Sequence, residues 1–179
     1  MIVYIALLRG INVGGKRKIL MADLRLLFAS IGLSDVTTYI QSGNIYFKSS
    51  ITEKEKLENM IAEAINSKYG FDVPVIIRTA SEIESIILNN PFIKQEGVTI
   101  DNLHLTFIKT YPNPQYLDTI PSNSFLPDKF EIIGNNIYIY CTGKVSQSKI
   151  TNIIFEKKFK VVTSTRNWKT VIKLGEMCK

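Results

Sequence analysis

The pattern of apolar and polar positions predicts alternating strands and helices from the first residues onward. Ile2 to Leu8 is a short apolar run rich in β-branched residues, which indicates a buried strand. From Met21 to Ile31 the apolar positions recur at i, i+3, i+4 and i+7, which predicts a helix with one buried face. Gly32 tolerates the left-handed conformation of a helix end, so we expect the helix to stop there.

A hairpin and a second helix continue the pattern. Two strand-like runs, over residues 36–41 and 44–48, flank a serine-glycine pair whose glycine permits a tight turn. Thr52 and Glu55 have the spacing of a capping box, which predicts the start of a helix. The helix stop and the next strand are expected at Gly70 and over residues 73–78. The resulting order is βαββαβ.

The same order recurs in the second half of the chain, after a connector. Ser81 and Glu84 form a second capping-box pattern, which predicts a short helix that ends near Asn90-Pro91. Beyond it, apolar runs predict strands over residues 103–109, 130–133, 137–141 and 160–163. Helices are expected from Asn113-Pro114, over 146–158 with Ile150, Ile153 and Ile154 inward, and over 166–177.

Two βαββαβ sets predict an α+β protein built from two ferredoxin-like units, or alpha-beta plaits, plus a C-terminal helix. We place the first unit at residues 1–79, a connector helix and loop at 80–101, and the second unit with the C-terminal helix at 102–179. No obvious sequence identity links the two halves. Duplication is therefore inferred from the order of the elements and the positions of the turns.

Composition narrows the class of protein. The chain has 179 residues, of which 45% are hydrophobic and 21% charged, values typical of one or two small globular domains. The early apolar run is too short to cross a bilayer, which needs about 20 residues. Cys141 and Cys178 lack the paired spacing of a zinc site or a redox motif. We therefore expect a cytoplasmic protein with reduced cysteines, no metal, no cofactor and no membrane partner.

Charge is distributed unevenly along the chain. The net charge is +6, but residues 1–50 carry +4, residues 51–140 carry −5 and residues 141–179 carry +7. Such asymmetry is typical of a surface that meets phosphates or nucleic acid. The alternative is that the basic ends complement the acidic middle within the fold.

The most unusual segment is the glycine-rich loop after the first strand, residues 9–18, with the sequence RGINVGGKRK. Gly10 to Lys16 matches the G-x-x-x-x-G-K part of a phosphate-binding loop, but Arg17 replaces the Ser or Thr that binds Mg²⁺. The helical period also begins only near Met21, which excludes a P-loop ATPase or GTPase. Glycine amides followed by three cations still make a concavity suited to an anion. The alternative is a structural loop with solvated cations.

Other polar segments are weaker candidates. Residues 41–44, Gln-Ser-Gly-Asn, form the expected hairpin tip, for which ordinary turn chemistry is the favoured explanation over ligand binding. Residues 142–149 place hydroxyls and lysines before a predicted helix, where they could hold a phosphate or simply cap the helix. Arg166 and Asn167 are expected in the first turn of the last helix, as a clamp for an anion or as ordinary helix-start residues. His104, the only histidine, is expected within a strand and lacks a catalytic partner motif.

Three segments stand out together: LLRGINVGGK over residues 7–16, TYIQSGNIYF over 38–47, and TRNW over 165–168 followed by Lys173-Leu174. Through them the chain closely resembles the bacterial domain-of-unknown-function family 1697, over essentially its whole length. The resemblance implies a cytoplasmic protein of two ferredoxin-like halves without an established activity. It implies no catalytic residues.

The function that the sequence favours is binding of a phosphate-bearing, nucleotide-like small ligand at the basic loop. The expected ligand-binding residues are Arg9, Gly10, Asn12, Gly14, Gly15, Lys16, Lys18, Gln41, Ser42, Asn44, Arg166 and Asn167.

Two alternatives remain at this stage. One is an enzyme that acts on a small anionic substrate in a cleft between the units, using Arg9, Asn12, Gln41, Asn44 and Arg166, with no acid or base identified. The other is an RNA-binding or protein-interaction module. For RNA, Tyr4 and Tyr46 are expected to share an open sheet face and stack on bases. The sequence leaves open whether the protein is an enzyme and what its oligomeric state is.

Overall fold

The computed structural model describes all residues from Met1 to Lys179. It contains two four-stranded antiparallel sheets and six α-helices, which confirms the α+β class. The chain divides into two compact units, Met1–Glu84 with Leu174–Lys179, and Ser85–Lys173. No helix has the length and hydrophobicity that a bilayer span requires.

The helices and strands alternate as follows. The first seven elements are β1 (Ile2–Leu8), α1 (Met21–Ser30), β2 (Ser34–Tyr39), β3 (Asn44–Ser49), α2 (Lys54–Tyr69), β4 (Val75–Thr79) and α3 (Ala80–Leu88). The remaining seven are β5 (Leu103–Ile108), α4 (Pro114–Leu117), β6 (Lys129–Ile133), β7 (Asn136–Tyr140), α5 (Asn152–Phe159), β8 (Thr163–Asn167) and α6 (Trp168–Met177). Short 3-10 turns lie at Ile100–Asn102 and Val145–Gln147.

The two sheets have matching strand orders, β2-β3-β1-β4 and β6-β7-β5-β8, and every neighbouring pair is antiparallel. In the first sheet, alternate residues of β1 belong to the core that includes α1 and α2, because successive strand side chains point to opposite faces. The predicted helical stripe of α1 is confirmed, since Leu24 and Phe28 are fully buried and Leu27 and Ile31 pack against the same core.

Both predicted capping boxes are wrong: the first does not form, and the second forms at other residues. The residue before α2 is Glu53, which makes no side-chain capping hydrogen bond, so Thr52 and Glu55 do not form a box. At α3 the reciprocal pair is Thr79 and Glu82: the Glu82 amide donates to Thr79 Oγ1 at 3.2 Å, and the Thr79 amide donates to Glu82 Oε2 at 2.8 Å. The pair forms two residues earlier than Ser81 and Glu84 because β4 runs directly into the helix.

The helix predicted over residues 146–158 is shorter. It begins at Asn152, where the Thr151 side chain accepts from the Ile154 amide. Ser148 Oγ instead accepts from the Ile150 amide at 3.1 Å, a local bond that competes with helix formation. The expected inward face is correct at Ile150 and wrong at Ile153, which is 70% exposed.

The last strand lies later than predicted. The residues expected to form it begin with Lys160, which ends α5 in a left-handed conformation at φ 57°. The strand forms over Thr163–Asn167, a polar segment without the apolar alternation that marks a strand. Its hydroxyls are used inside the unit: Thr165 Oγ1 and Thr106 Oγ1 lie 2.5 Å apart, and the Thr163 amide donates to Glu156 Oε1 at 2.8 Å.

The two sheets also share a row of side chains that the sequence analysis missed. Asn-Ile-Tyr opens β3 and again opens β7. In the first sheet Tyr46 pairs with Ile5, which pairs with Arg78. In the second sheet Tyr138 pairs with Leu105, which pairs with Arg166. A tyrosine and an arginine therefore flank the central strand at the same position of each unit.

Candidate functional site

The glycine-rich loop folds into a small hairpin between β1 and α1. Val13 and Lys16 form an antiparallel bridge, and the Lys16 amide donates to the Val13 carbonyl at 3.0 Å. Between them Gly14 and Gly15 have φ values of 58° and 73°. A two-residue turn with positive φ at both positions strongly favours glycine. The two glycines therefore shape the turn at the tip of the loop.

Asn12 holds this loop together. Its Nδ2 donates to the Ile19 carbonyl at 3.0 Å and to the Gln41 carbonyl at 2.9 Å. Its Oδ1 accepts from the Ile19 amide at 2.9 Å. One side chain thus ties the start of the loop to its end and to the β2–β3 turn.

The β2–β3 turn lies directly against the end of β1. The Leu8 amide donates to the Gly43 carbonyl at 2.8 Å, and a Cβ on Gly43 would lie 2.6 Å from Leu8 Cβ. Only glycine permits this approach, since φ at Gly43 is also 77°. Asn44 is fully buried and donates to Ser42 Oγ at 2.8 Å and to the Tyr39 carbonyl at 3.2 Å. Ser42 and Asn44 therefore shape the turn.

The loop and the turn border an open cleft of about 380 Å³ in the first unit. It is lined by Asn12, Gly15, Lys18, Ile19, Leu20, Met21, Asp23, Gln41 and Tyr69. Four of these, Asn12, Gly15, Lys18 and Gln41, are among the ligand-binding residues expected from the sequence. The structure thus brings the glycine-rich loop and the hairpin tip to one surface.

Positive charge lies on the loop side of this cleft. Lys16, Arg17 and Lys18 are all exposed, and Lys18 is the cation that lines the cleft. Arg17 extends over Gly10, where its Nη1 would lie 3.4 Å from an added Cβ. Arg9 is partly buried, and its amide donates to the Pro74 carbonyl at 3.0 Å.

The helical side of the cleft contains an acid and a phenol that the sequence analysis missed. Asp23 lies in the first turn of α1, and Tyr69 is the last residue of α2. The Tyr69 hydroxyl is buried without a hydrogen-bond partner, and burial, followed by the charge of Asp23, raises the pKa of Tyr69. Its ring stacks on Phe71 with centroids 5.9 Å apart. The only sequence signal was an acidic residue in the first turn of the helix after the loop, which a helix start alone explains.

Arg166 and Asn167 lie in the second unit and do not line this cleft. The placement of Arg166 in a helix turn is wrong, because it lies in β8. Its Nη1 donates to Ser164 Oγ at 2.8 Å and to the Thr165 carbonyl at 2.9 Å, and burial lowers the pKa of Arg166 to about 10. Asn167 caps α6, since its Oδ1 accepts from the Thr170 amide at 2.8 Å.

A carboxylate of the second unit occupies the other loop that the sequence suggested for phosphate binding. Asp128 Oδ1 accepts from the Thr142 amide at 2.8 Å and from Thr142 Oγ1 at 3.0 Å, and its Oδ2 accepts from Ser148 Oγ at 2.6 Å. Although partial burial raises the pKa of Asp128, these hydrogen bonds outweigh it and hold that pKa below its ordinary value. The donors of Thr142 and Ser148 are therefore used by Asp128, and no α-helix begins within residues 142–149. The phosphate-binding alternative for this segment loses those groups and its helix N-terminus.

The pair proposed for base stacking does not share a sheet face. Tyr4 lies opposite Phe47, and Ile5 lies opposite Tyr46, so the two tyrosines point to opposite sides. Tyr4 is 1% exposed and donates its hydroxyl to the Ile51 carbonyl at 2.9 Å. The stacking surface expected from the sequence is therefore wrong.

The remaining reactive side chains do not gather into a second site. His104 is buried, which lowers its pKa, and its Nδ1 has no hydrogen-bond partner. Cys141 and Cys178 form no disulfide. No three His, Cys, Asp or Glu side chains are grouped so that they could hold a metal ion.

A protein-family model matches most of the chain. The family described as "Protein of unknown function (DUF1697)" matches residues 1–138, which include the whole loop, the hairpin tip and every residue of the cleft. The chain belongs to this family. The DUF1697 chain is also similar to a solved structure, the conserved bacterial protein SP0830 from Streptococcus pneumoniae, with 27% identity and a TM-score of 0.78 over 99% of each chain. A search of curated proteins found no match.

Proposed function

We propose that the cleft of the first unit binds a small ligand that carries a phosphate or a similar anionic group. The observation that carries this proposal is the convergence of the loop, the β2–β3 turn and two helices on one cleft of about 380 Å³. Small-molecule sites have volumes of about 300–1,000 Å³ and combine apolar walls with a few polar groups. Ile19, Leu20 and Met21 supply such walls beside Lys18 and Gln41.

The charge of the loop supports a position for the anionic group. Lys18 lines the cleft next to Gly15, and Lys16 and Arg17 are exposed beside them in sequence. A cluster of cations raises the local concentration of anions and speeds their association. The phosphate therefore binds on the loop side, near Lys18.

The test is a thermal-shift titration of the full chain with nucleotides, sugar phosphates and short RNA. We expect a ligand-dependent rise in Tm that is lost in Lys18→Ala, because binding to the native state stabilises it. Lys94→Ala is the matched control, since Lys94 is an exposed loop lysine of the second unit. Absence of a shift with every phosphate ligand, or an equal shift in Lys18→Ala, would overturn the proposal.

The other functions suggested by the sequence gain less support. The enzyme hypothesis used five residues, of which Asn12 and Gln41 line the cleft of the first unit and Arg9, Asn44 and Arg166 do not. Short RNA is included in the titration because the loop cations would also attract its phosphates, with an affinity that falls steeply with salt. The interaction-module hypothesis and the cytoplasmic location stay predictions.

We propose further that each unit is a ferredoxin-like plait and that the two arose by duplication. Support comes from the matching strand orders, in which each βαββαβ unit places its first and third strands at the centre of an antiparallel sheet. The repeated Asn-Ile-Tyr and the arginines in equal register agree with it. The unit boundaries at residues 79 and 102 stay predictions.

A further inference from the structure

The cleft contains one carboxylate, and this constrains the ligand that it accepts. Asp23 is the acidic residue among those that line the cleft, and Lys18 is the cation. A bare phosphate ion would meet repulsion from Asp23 as well as attraction from Lys18. The cleft therefore differs from a simple anion site, in which all charged groups have one sign.

The carboxylate of Asp23 is available to a ligand. Lys68 Nζ lies 3.4 Å from the backbone carbonyl of Asp23, and no side chain of the protein pairs with the carboxylate itself. An ionised carboxylate only accepts hydrogen bonds. The part of the ligand that faces Asp23 must therefore offer donors, such as hydroxyl or amino groups.

The wall of the cleft beside Asp23 is suited to a small organic group. The ring of Tyr69 is fixed by its stacking on Phe71 and by Lys68, whose Nζ lies 5.4 Å from the ring centroid. Met21 and Ile19 add aliphatic surface to the same cleft. A sugar or a sugar with its base fits such a wall, because its carbon faces are apolar and its edges carry hydroxyls.

From these three observations we infer that the ligand is a phosphate ester of a polyol, with its phosphate at Lys18 and its free hydroxyls at Asp23. This inference rests on the proposed function, since it assigns the chemical class of ligand at the same cleft. Asp23 is then a specificity-determining residue, which selects hydroxylated esters over inorganic phosphate.

The test measures dissociation constants of the full chain by calorimetry. The probes are inorganic phosphate, ribose 5-phosphate, adenosine 5′-monophosphate and its 2′,3′-dideoxy analogue. We expect the dideoxy analogue to bind about tenfold more weakly than adenosine 5′-monophosphate, because hydrogen bonds to a charged group are lost. Binding of ribose 5-phosphate at equal strength would identify a sugar phosphate as the ligand, and weaker binding would identify a nucleotide.

Variants separate this inference from the proposed function. Asp23→Asn is expected to reduce the tenfold preference to less than about threefold and to tighten phosphate binding, because it removes the negative charge. Glu55→Gln is the matched control, since Glu55 is an exposed acidic residue in the first turn of α2. If the esters bind and Lys18→Ala abolishes binding, but Asp23→Asn leaves the preference unchanged, the inference is wrong and the proposed function stands. If no probe binds, both are wrong.

Discussion

At the end of its first strand, each unit holds the chain by the same two backbone hydrogen bonds. In the first unit Leu8 donates to the Gly43 carbonyl at 2.8 Å and Arg9 donates to the Pro74 carbonyl at 3.0 Å. In the second unit Ile108 donates to the Asn135 carbonyl at 2.9 Å and Lys109 donates to the Val162 carbonyl at 2.9 Å. The two sheets therefore present their first loops from equivalent positions.

Beyond those bonds the two loops differ. Residues 9–20 of the first unit form a glycine hairpin and border the cleft, whereas residues 109–113 of the second unit lead directly into α4. There Asn113 caps the helix and Pro114 occupies its first turn. These two residues account for the start of α4. The comparison indicates that the sheet is a common scaffold and that the candidate site belongs to the longer loop.

The largest loss of stability is expected from glycine substitutions in the turns that follow β2 and β6. Gly43→Ala should lower the free energy of unfolding by about 3 kcal/mol or more, because the new Cβ combines positive-φ strain with a clash against Leu8. Gly134, one residue before the equivalent position in the second unit, is the control: its φ is 56°, and an added Cβ would meet nothing within 4 Å beyond its chain neighbours. Gly134→Ala should cost about 1–2 kcal/mol, from strain alone. Urea unfolding of both variants checks the difference, and equal losses would contradict the close approach at Gly43.

The next-largest loss of stability is expected from substituting the asparagines of the two loops. Asn12→Ala should cost about 2 kcal/mol, because three side-chain hydrogen bonds disappear. Asn113→Ala removes one capping bond to the Gln115 amide and should cost about 1 kcal/mol. Only Asn12→Ala is expected also to weaken ligand binding, since it releases Gln41 from the loop. If ligand affinity falls equally in both variants, the loop of the first unit is not the site.

A smaller effect concerns the loop of the second unit that Asp128 fills. Asp128→Asn should lower stability at pH 7 by about 1 kcal/mol, allowing for the partial exposure of the carboxylate. Because the pKa of Asp128 is lower in the folded protein than in the unfolded chain, its contribution is full above the unfolded value of about 3.9. The contribution is lost as the pH falls through the lower folded pKa. Urea unfolding from pH 7 to pH 2 should show the gap between the two proteins closing only below about pH 4. A gap that stays constant would be inconsistent with this role.

Much of the fold could be predicted from local patterns. The strand Ile2–Leu8 and the start of α1 at Met21 match the sequence-based boundaries, because an apolar run and a helical stripe mark them directly. The strand Thr163–Asn167 could not be found in this way, since its polar residues are satisfied by partners distant in sequence. The capping box of α3 was misplaced because its position depends on where the preceding strand ends.

The candidate site could be predicted on its loop side only. The glycines and cations of residues 9–18 are contiguous, so the sequence displays them together. Asp23 and Tyr69 come from two helices and join the cleft only through tertiary packing. The error over Tyr4 and Tyr46 has a similar origin, because which residues share a sheet face depends on the strand register.

The measurement that tests the central claim most directly is an NMR titration of ¹⁵N-labelled protein with adenosine 5′-monophosphate. Chemical-shift changes are expected at the amides of Gly14, Gly15, Lys18, Gln41 and Tyr69, all in or beside the cleft of the first unit. The amides of residues 142–149 should not move, because this loop lies in the second unit and Asp128 already accepts from its Thr142 and Ser148 donors. Shifts confined to the second unit, or no shifts at all, would contradict the assignment of ligand binding to the glycine-rich loop.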